Sequence, residues 1–192
     1  MPWGSICSGL AMQKKALKVV LIFISAYLIF LILWINIKDY YGYAITYSVS
    51  NMVAPIKGVI LESITRKSDI IEVTFSRYTY RGQIIAPISI KTSFYTFNVP
   101  LTCAILAAFH LFIKRKKRAY LEAVLILLFV HALYVFSSEA KSLTEMFMSR
   151  GIEPMNKVKL TFYQFLWSFT DNMVIRFEPF LIGIYVFLRF RK

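Results

Sequence analysis

The sequence predicts a membrane all-α fold: four transmembrane helices, both termini cytosolic (N-in/C-in), and a small extracytoplasmic α+β insertion. Three observations carry this. First, 58% of the 192 residues are hydrophobic and the mean hydropathy is +0.59. Soluble domains typically reach roughly 45–50%, and a core of one domain's size cannot bury so much apolar surface. Second, the apolar residues gather in long runs, with 17 Phe and 12 Tyr among the residues that suit bilayer interfaces. Third, the net charge of +13 is unevenly placed: eleven of the 23 Lys and Arg fall in three clusters beside those runs. These are Lys14, Lys15 and Lys18; Lys114, Arg115, Lys116, Lys117 and Arg118; and Arg189, Arg191 and Lys192, with no acidic residue inside any of them. Short positive loops stay in the cytosol. The three clusters share one side only if the chain crosses four times.

Residues 1–15 form the cytosolic N-terminus, and the first span covers 16–37, charged only at Lys18 near its start. At 1.5 Å per residue it is long enough for a hydrocarbon core of roughly 30 Å, with Trp34 as an interfacial anchor. It is too long for a cleaved signal peptide and no small-x-small site follows it.

The extracytoplasmic segment 38–96 comes next. Ile45, Val49, Met52, Val53, Ile56 and Ile60 recur at helical spacing, which predicts an amphipathic helix bent near Pro55. Ile71, Val73 and Phe75 then alternate with Glu72, Thr74 and Ser76, the period of a half-buried strand. A turn at Arg81-Gly82 returns the chain into a second strand near 83–90, making a β-hairpin.

The second span is 97–113, closed by the cytosolic basic turn 114–118. The third is 119–136, whose helical pattern continues past the lipid through 137–148 to a stop at Gly151. Residues 137–168 form a second extracytoplasmic segment. The fourth span, 169–189, is interrupted by Asp171, Arg176, Glu178 and Pro179, and 190–192 is a cytosolic tail.

Charge in a span marks the candidate chemistry. Arg176 lies thirteen residues before Arg189, roughly 20 Å by helical rise, where a charged group costs about 2.5–3.5 kcal/mol and needs a partner. Asp171 is five residues before it, within reach on a slightly distorted helix. Glu178 points away from both and needs a partner elsewhere. Two readings stand: a polar site between helices, or a span that begins later, with these charges at the outer interface and Pro179 in the first helical turn. His131, thirteen residues into the third span, reads as a proton relay or ligand, or as a neutral packing histidine.

No second His or Cys stands at ligand spacing, and no phosphate loop, zinc pattern, nucleophile elbow or catalytic carboxylate pair appears. No metal, cofactor or catalytic residue is therefore expected. Cys7 and Cys103 do not suggest a disulfide framework. Cys103, just inside the second span, is a buried inert cysteine unless a His or Arg stands beside it. The basic clusters hug apolar runs, which argues against a nucleic-acid partner and for membrane lipid.

The order of parts is a basic N-terminus, a span, an outer helix-plus-hairpin, and an aromatic lead-in to the second span. That lead-in is Phe94-Tyr95-Thr96-Phe97-Asn98-Val99-Pro100-Leu101. A basic turn, a third span and a last span ending Leu-Arg-Phe-Arg-Lys complete it. This layout resembles the exosortase H-associated membrane proteins, small bacterial proteins encoded beside a dedicated exosortase. The resemblance covers most of the chain from Met12 onward, in layout more than in identity. The lead-in, with Phe94, Tyr95, Phe97, Asn98 and Pro100, is its most specific piece. It implies a bacterial inner-membrane location and an exosortase-like membrane partner, and it supplies no catalytic residue to carry over. Cys7-Ser8-Gly9-Leu10 spells the exosortase nucleophile motif but precedes the cytosolic cluster, whereas that enzyme's site faces outward. Met12 is an alternative start, residues 1–11 then being an upstream extension.

The expectation is a non-catalytic accessory protein that binds a sorting enzyme or its substrate tail. Two others stand beside it: a small transporter or channel subunit lined by Asp171, Arg176 and His131, and a membrane thiol enzyme built on Cys103.

Overall fold

One uninterrupted helix, α1 (Gly4–Lys57), carries the first quarter of the chain. The computed structural model describes residues 4–80, 82–154 and 156–191. Arg81 and Lys192 lie outside them, as do the side chains of Cys7, Ser8, Gly9, Leu10, Met12, Lys14 and Lys15. After α1 come three strands, β1 (Ile60–Lys67), β2 (Ile70–Thr79) and β3 (Gly82–Lys91). The short α2 (Thr92–Thr96) leads into α3 (Asn98–Phe109), and α4 (Lys116–Ser149) comes after it. The chain closes with α5 (Lys157–Phe169), a π-helical turn (Thr170–Ile175) and α6 (Arg176–Phe190) in unbroken succession.

The fold is mostly helical with one small sheet. Among the described residues, three helical segments are long and apolar enough to cross a membrane: Ala16–Lys57, Thr92–Phe109 and Lys116–Ser149. In the most apolar stretch of the first, no residue is buried against protein. Leu17, Leu21, Leu28, Ile32 and Ile35 are all exposed.

Several elements differ from the sequence expectation. The helix expected after residue 38 is the second half of α1. Lys38 and Asp39 change polarity, but nothing there breaks the backbone. Pro55 sits in the last turn, where the helix ends on Gly58 at φ 62°. The hairpin is a three-stranded antiparallel sheet in the order β1-β2-β3. The added strand, β1, carries a bulge between Leu61 and Ser63, which breaks the period-two pattern that would have announced it. The helix of the second span ends at Phe109 rather than 113. The segment expected at 137–168 is largely the continuation of α4 and the whole of α5. Trp34 turns inward, its ring edge-on to Tyr41 at 5.1 Å.

The strand expected at 71–75 is β2. Ile71, Val73 and Phe75, with Ala86, Ile88 and Ile90 of β3, form a buried face. That face packs on Val49 and Val53 of α1 and on Val135, Leu143 and Phe147 of α4. Each fully buried large apolar side chain contributes about 1.5–3 kcal/mol. A second cluster, including Leu106, Ala123, Leu127, Ile182 and Val186, joins α3, α4 and α6. Helix α1 approaches α2 closely at Gly42, where any Cβ would overlap the Thr92 side chain.

Ion pairs tie the sheet to the helices. Glu153, in the turn after α4, accepts from Arg77 of β2 at 2.8 Å and from Lys159 of α5 at 2.6 Å. Asp69, in the β1–β2 turn, accepts from Lys38 at 2.9 Å and from Ser93. Burial works against both carboxylates, yet these bonds outweigh it and hold both below their ordinary range. A carboxylate whose folded value is depressed contributes stability above its unfolded value, here 4.5 for Glu153. That stability is lost as pH falls through the folded value. Acid melts of the purified protein should therefore show a Tm that drops below pH 4.5. Glu153→Gln should lower Tm at neutral pH and flatten the acid dependence.

Candidate functional site

Between the two apolar clusters lies a buried polar seam contributed by α1, α4 and α6. His131 of α4 is its centre. Its Nδ1 lies 2.7 Å from the Tyr41 hydroxyl of α1, and its Nε2 lies 3.3 Å from Glu178 Oε2 of α6. The side chains of His131 and Glu178 have 0% exposure. One arrangement satisfies the ring: Tyr41 O–H donates to Nδ1, and Nε2–H donates to the Glu178 carboxylate. Glu178 Oε1 has no partner among the described residues. Tyr95 and Tyr41 meet the imidazole edge-on, with centroids at 5.5 and 5.6 Å, and Tyr95 stacks on Tyr134 at 5.1 Å.

The seam continues along the inner face of α1. Tyr95 O–H donates to Gly42 O at 3.3 Å and lies 3.5 Å from Thr46 Oγ1. Ser50 donates to Glu139 at 2.6 Å, and Lys57 donates to Thr144 at 2.6 Å while sitting 3.5 Å over the Tyr163 ring. Gly42, Thr46 and Ser50 repeat every four residues, so small and polar side chains share one stripe that meets α2 at Thr92 and Tyr95 and α4 at Glu139.

Helix α6 reaches the seam through the π turn and Pro179. One extra residue in a helical turn rotates the rest of the helix by about 100°. Proline has no N–H, so the carbonyl four residues earlier, Ile175 O, loses its helical donor. Asn98 of α3 supplies the replacement: its side-chain amide donates to that carbonyl, and Asn98 is buried. The proline is thus inside a continuous helix, not in a first turn, and Glu178 beside it faces protein.

The expected site residues separate. His131 and Glu178 come together. Asp171 and Arg176 form no ion pair with each other among the described residues, and Arg176 is exposed. The lead-in splits by face: Tyr95, Asn98 and Pro100 are buried, whereas Phe94 and Phe97 stand outward. Cys103 lines an apolar groove with Ile22, Phe30, Leu106, His110 and Tyr120. His110 stands seven residues from Cys103, about 10 Å of helical rise, and bonds instead to Tyr120 and Lys116. Tyr41, Ser50, Lys57, Glu139 and Thr144 are seam residues that sequence reasoning missed. Glu139, eight residues after His131 on the same helix face, was the available signal.

No family model, curated protein or solved structure matches the chain.

Enclosure decides what the arrangement can do. Tyr41, His131 and Glu178 cross-link three helices, and no solvent-exposed edge of His131 or Glu178 is left for a substrate. Removing one member of a buried pair strands the other at a cost of about 3–5 kcal/mol, whereas an apolar replacement of both is often tolerated. His131→Leu should therefore lower Tm in detergent markedly, and His131→Leu/Glu178→Met should recover much of the loss. Asn98→Leu should cost about 1–3 kcal/mol by orphaning Ile175 O. Pro179→Ala in that background restores the missing N–H and should recover stability; additive losses would contradict the assignment.

Proposed function

We propose that the protein is a four-span bacterial inner-membrane protein, N-in/C-in, that serves as a non-catalytic partner in an exosortase-type protein-sorting system. One observation carries the topology. The basic residues 114–118 and 189–191 meet at one end of α4, where Lys114 N–H donates to Phe190 O and Ile113 pairs with Arg191. The sheet packs at the other end of α4, against Leu143 and Phe147. Exposed Leu121, Val124, Leu125 and Phe129 lie between them. A positive end, an apolar middle and a folded far end are what a bilayer with a cytosolic positive side selects. The fourth crossing is then the π turn with α6, whose Glu178 is matched by His131.

A partner role is supported by how the polar and apolar groups are used. The interior His131, Glu178 and Glu139 are engaged in holding helices together. On α5, Val158, Phe162, Phe165 and Phe169 are exposed at spacings of three and four residues. They form an aromatic ridge level with the sheet, since Gln164 bonds Glu145 and Trp167 lies beneath Lys141. Such a ridge suits a partner's helix or an apolar substrate tail. The exosortase assignment itself rests on the layout resemblance.

Co-expression with an exosortase and purification through a tag on this chain is the test. The enzyme should co-purify with the wild type and fall away with Phe162→Ser/Phe165→Ser, whose Tm stays close to wild type. Repeated isolation of the wild-type chain alone would contradict the proposal.

A further inference from the structure

The turn after α3, the start of α4 and the end of α6 enclose a cleft of about 340 Å³ lined by Lys114, Arg115, Arg118, Arg189, Phe190 and Arg191. Its cationic residues belong to two distant parts of the chain, held together by the Lys114–Phe190 backbone bond of 2.6 Å and the Ile113–Arg191 bridge. Glu122 neutralises part of this charge: it pairs with Arg118 at 3.0 Å and Arg189 at 3.3 Å, and accepts from Tyr185 at 2.7 Å. Lys114, Arg115 and Arg191 have no acidic partner among the described residues. The start of α4 adds its positive end, with no acidic residue in the first turn and no side-chain cap. Like charges held this close repel unless an anion joins them.

The surroundings distinguish a free anion from one attached to an apolar tail. Arg118 and Glu122 share one face of α4 with Leu125 and Phe129, by spacings of four, three and four residues. Leu125 and Phe129 are 55% and 67% exposed. The cationic cleft therefore opens onto an uncovered apolar track running away from it along the helix. We propose that this cleft binds the phosphate-bearing headgroup of an anionic phospholipid, whose acyl chain lies along Leu125 and Phe129. The inference rests on the membrane topology above, which puts the cleft at the cytosolic leaflet, where basic pockets between helices meet anionic headgroups.

The full chain in nanodiscs of phosphatidylcholine, titrated with fluorescent phosphatidylglycerol, tests it. Wild type should enrich phosphatidylglycerol around itself, and enrichment should fade at about 0.5 M salt, where charge is screened within a few ångströms. Lys114→Gln/Arg191→Gln should weaken binding about tenfold. A charge-matched control at the far end, Lys67→Gln/Lys157→Gln, should leave it unchanged. Inorganic phosphate at millimolar concentration should not compete. Equal enrichment of labelled phosphatidylcholine, salt-independent binding, or full competition by phosphate would each overturn the lipid site. The salt series needs no variant, so it decides even if the double substitution fails to fold. A chain that stays soluble without detergent and never enters nanodiscs would instead sink the membrane topology, a separable failure.

Discussion

The apolar side chains of α1 that no protein atom covers set the terms for everything else. Over its most apolar stretch the helix buries no residue against the rest of the chain, while Leu17, Leu21, Leu28 and Ile32 stand free. At about 25 cal/mol per Å² of apolar surface, such a helix in water would be driven to aggregate or to pack on anything apolar. A bilayer removes that penalty. Once α1 is taken to cross, the remaining pieces have few options: α4 lies beside it, the basic turn marks one face, and the sheet must lie beyond the other.

Inside that frame, polar groups act as fasteners. Lipid gives helices no hydrophobic reason to associate, so packing and interhelical hydrogen bonds carry more of the load. Tyr41, His131 and Glu178 join α1, α4 and α6 at one level, and Ser50 with Glu139 joins α1 to α4 further along. The Asn98 bond to Ile175 O brings in α3 and repairs the donor that Pro179 removes. Burial of these groups explains how one chain can hold ionisable residues among apolar helices without presenting an open reaction site.

Local periodicity made part of this legible. The alternation through Ile71, Val73 and Phe75 announced β2, and two of the three basic clusters expected on one side, 114–118 and 189–191, lie together. The continuous α1 was hidden because Lys38 and Asp39 mark a change of polarity, which is no barrier to a helix. Strand β1 was hidden by its bulge. Glu178 and His131 could each be recognised as buried groups in need of partners, but their pairing depends on the rotation introduced by the π turn, which no spacing rule supplies. Asp171 and Arg176 were plausible partners by count, and a π turn brings residues five apart closer together, yet they form no ion pair among the described residues. Asn98 read only as part of an aromatic lead-in, because its role arises from a proline on a different helix.

The central claim is that the sheet and the basic turn face opposite sides of a membrane. Single cysteines at Ser68 and at Lys117, in a chain with Cys7 and Cys103 replaced by serine, can be probed in intact cells with a membrane-impermeant maleimide. The account predicts labelling at position 68 without permeabilisation, and labelling at 117 only after it. Protection at 68, or ready labelling at 117 in intact cells, would contradict it.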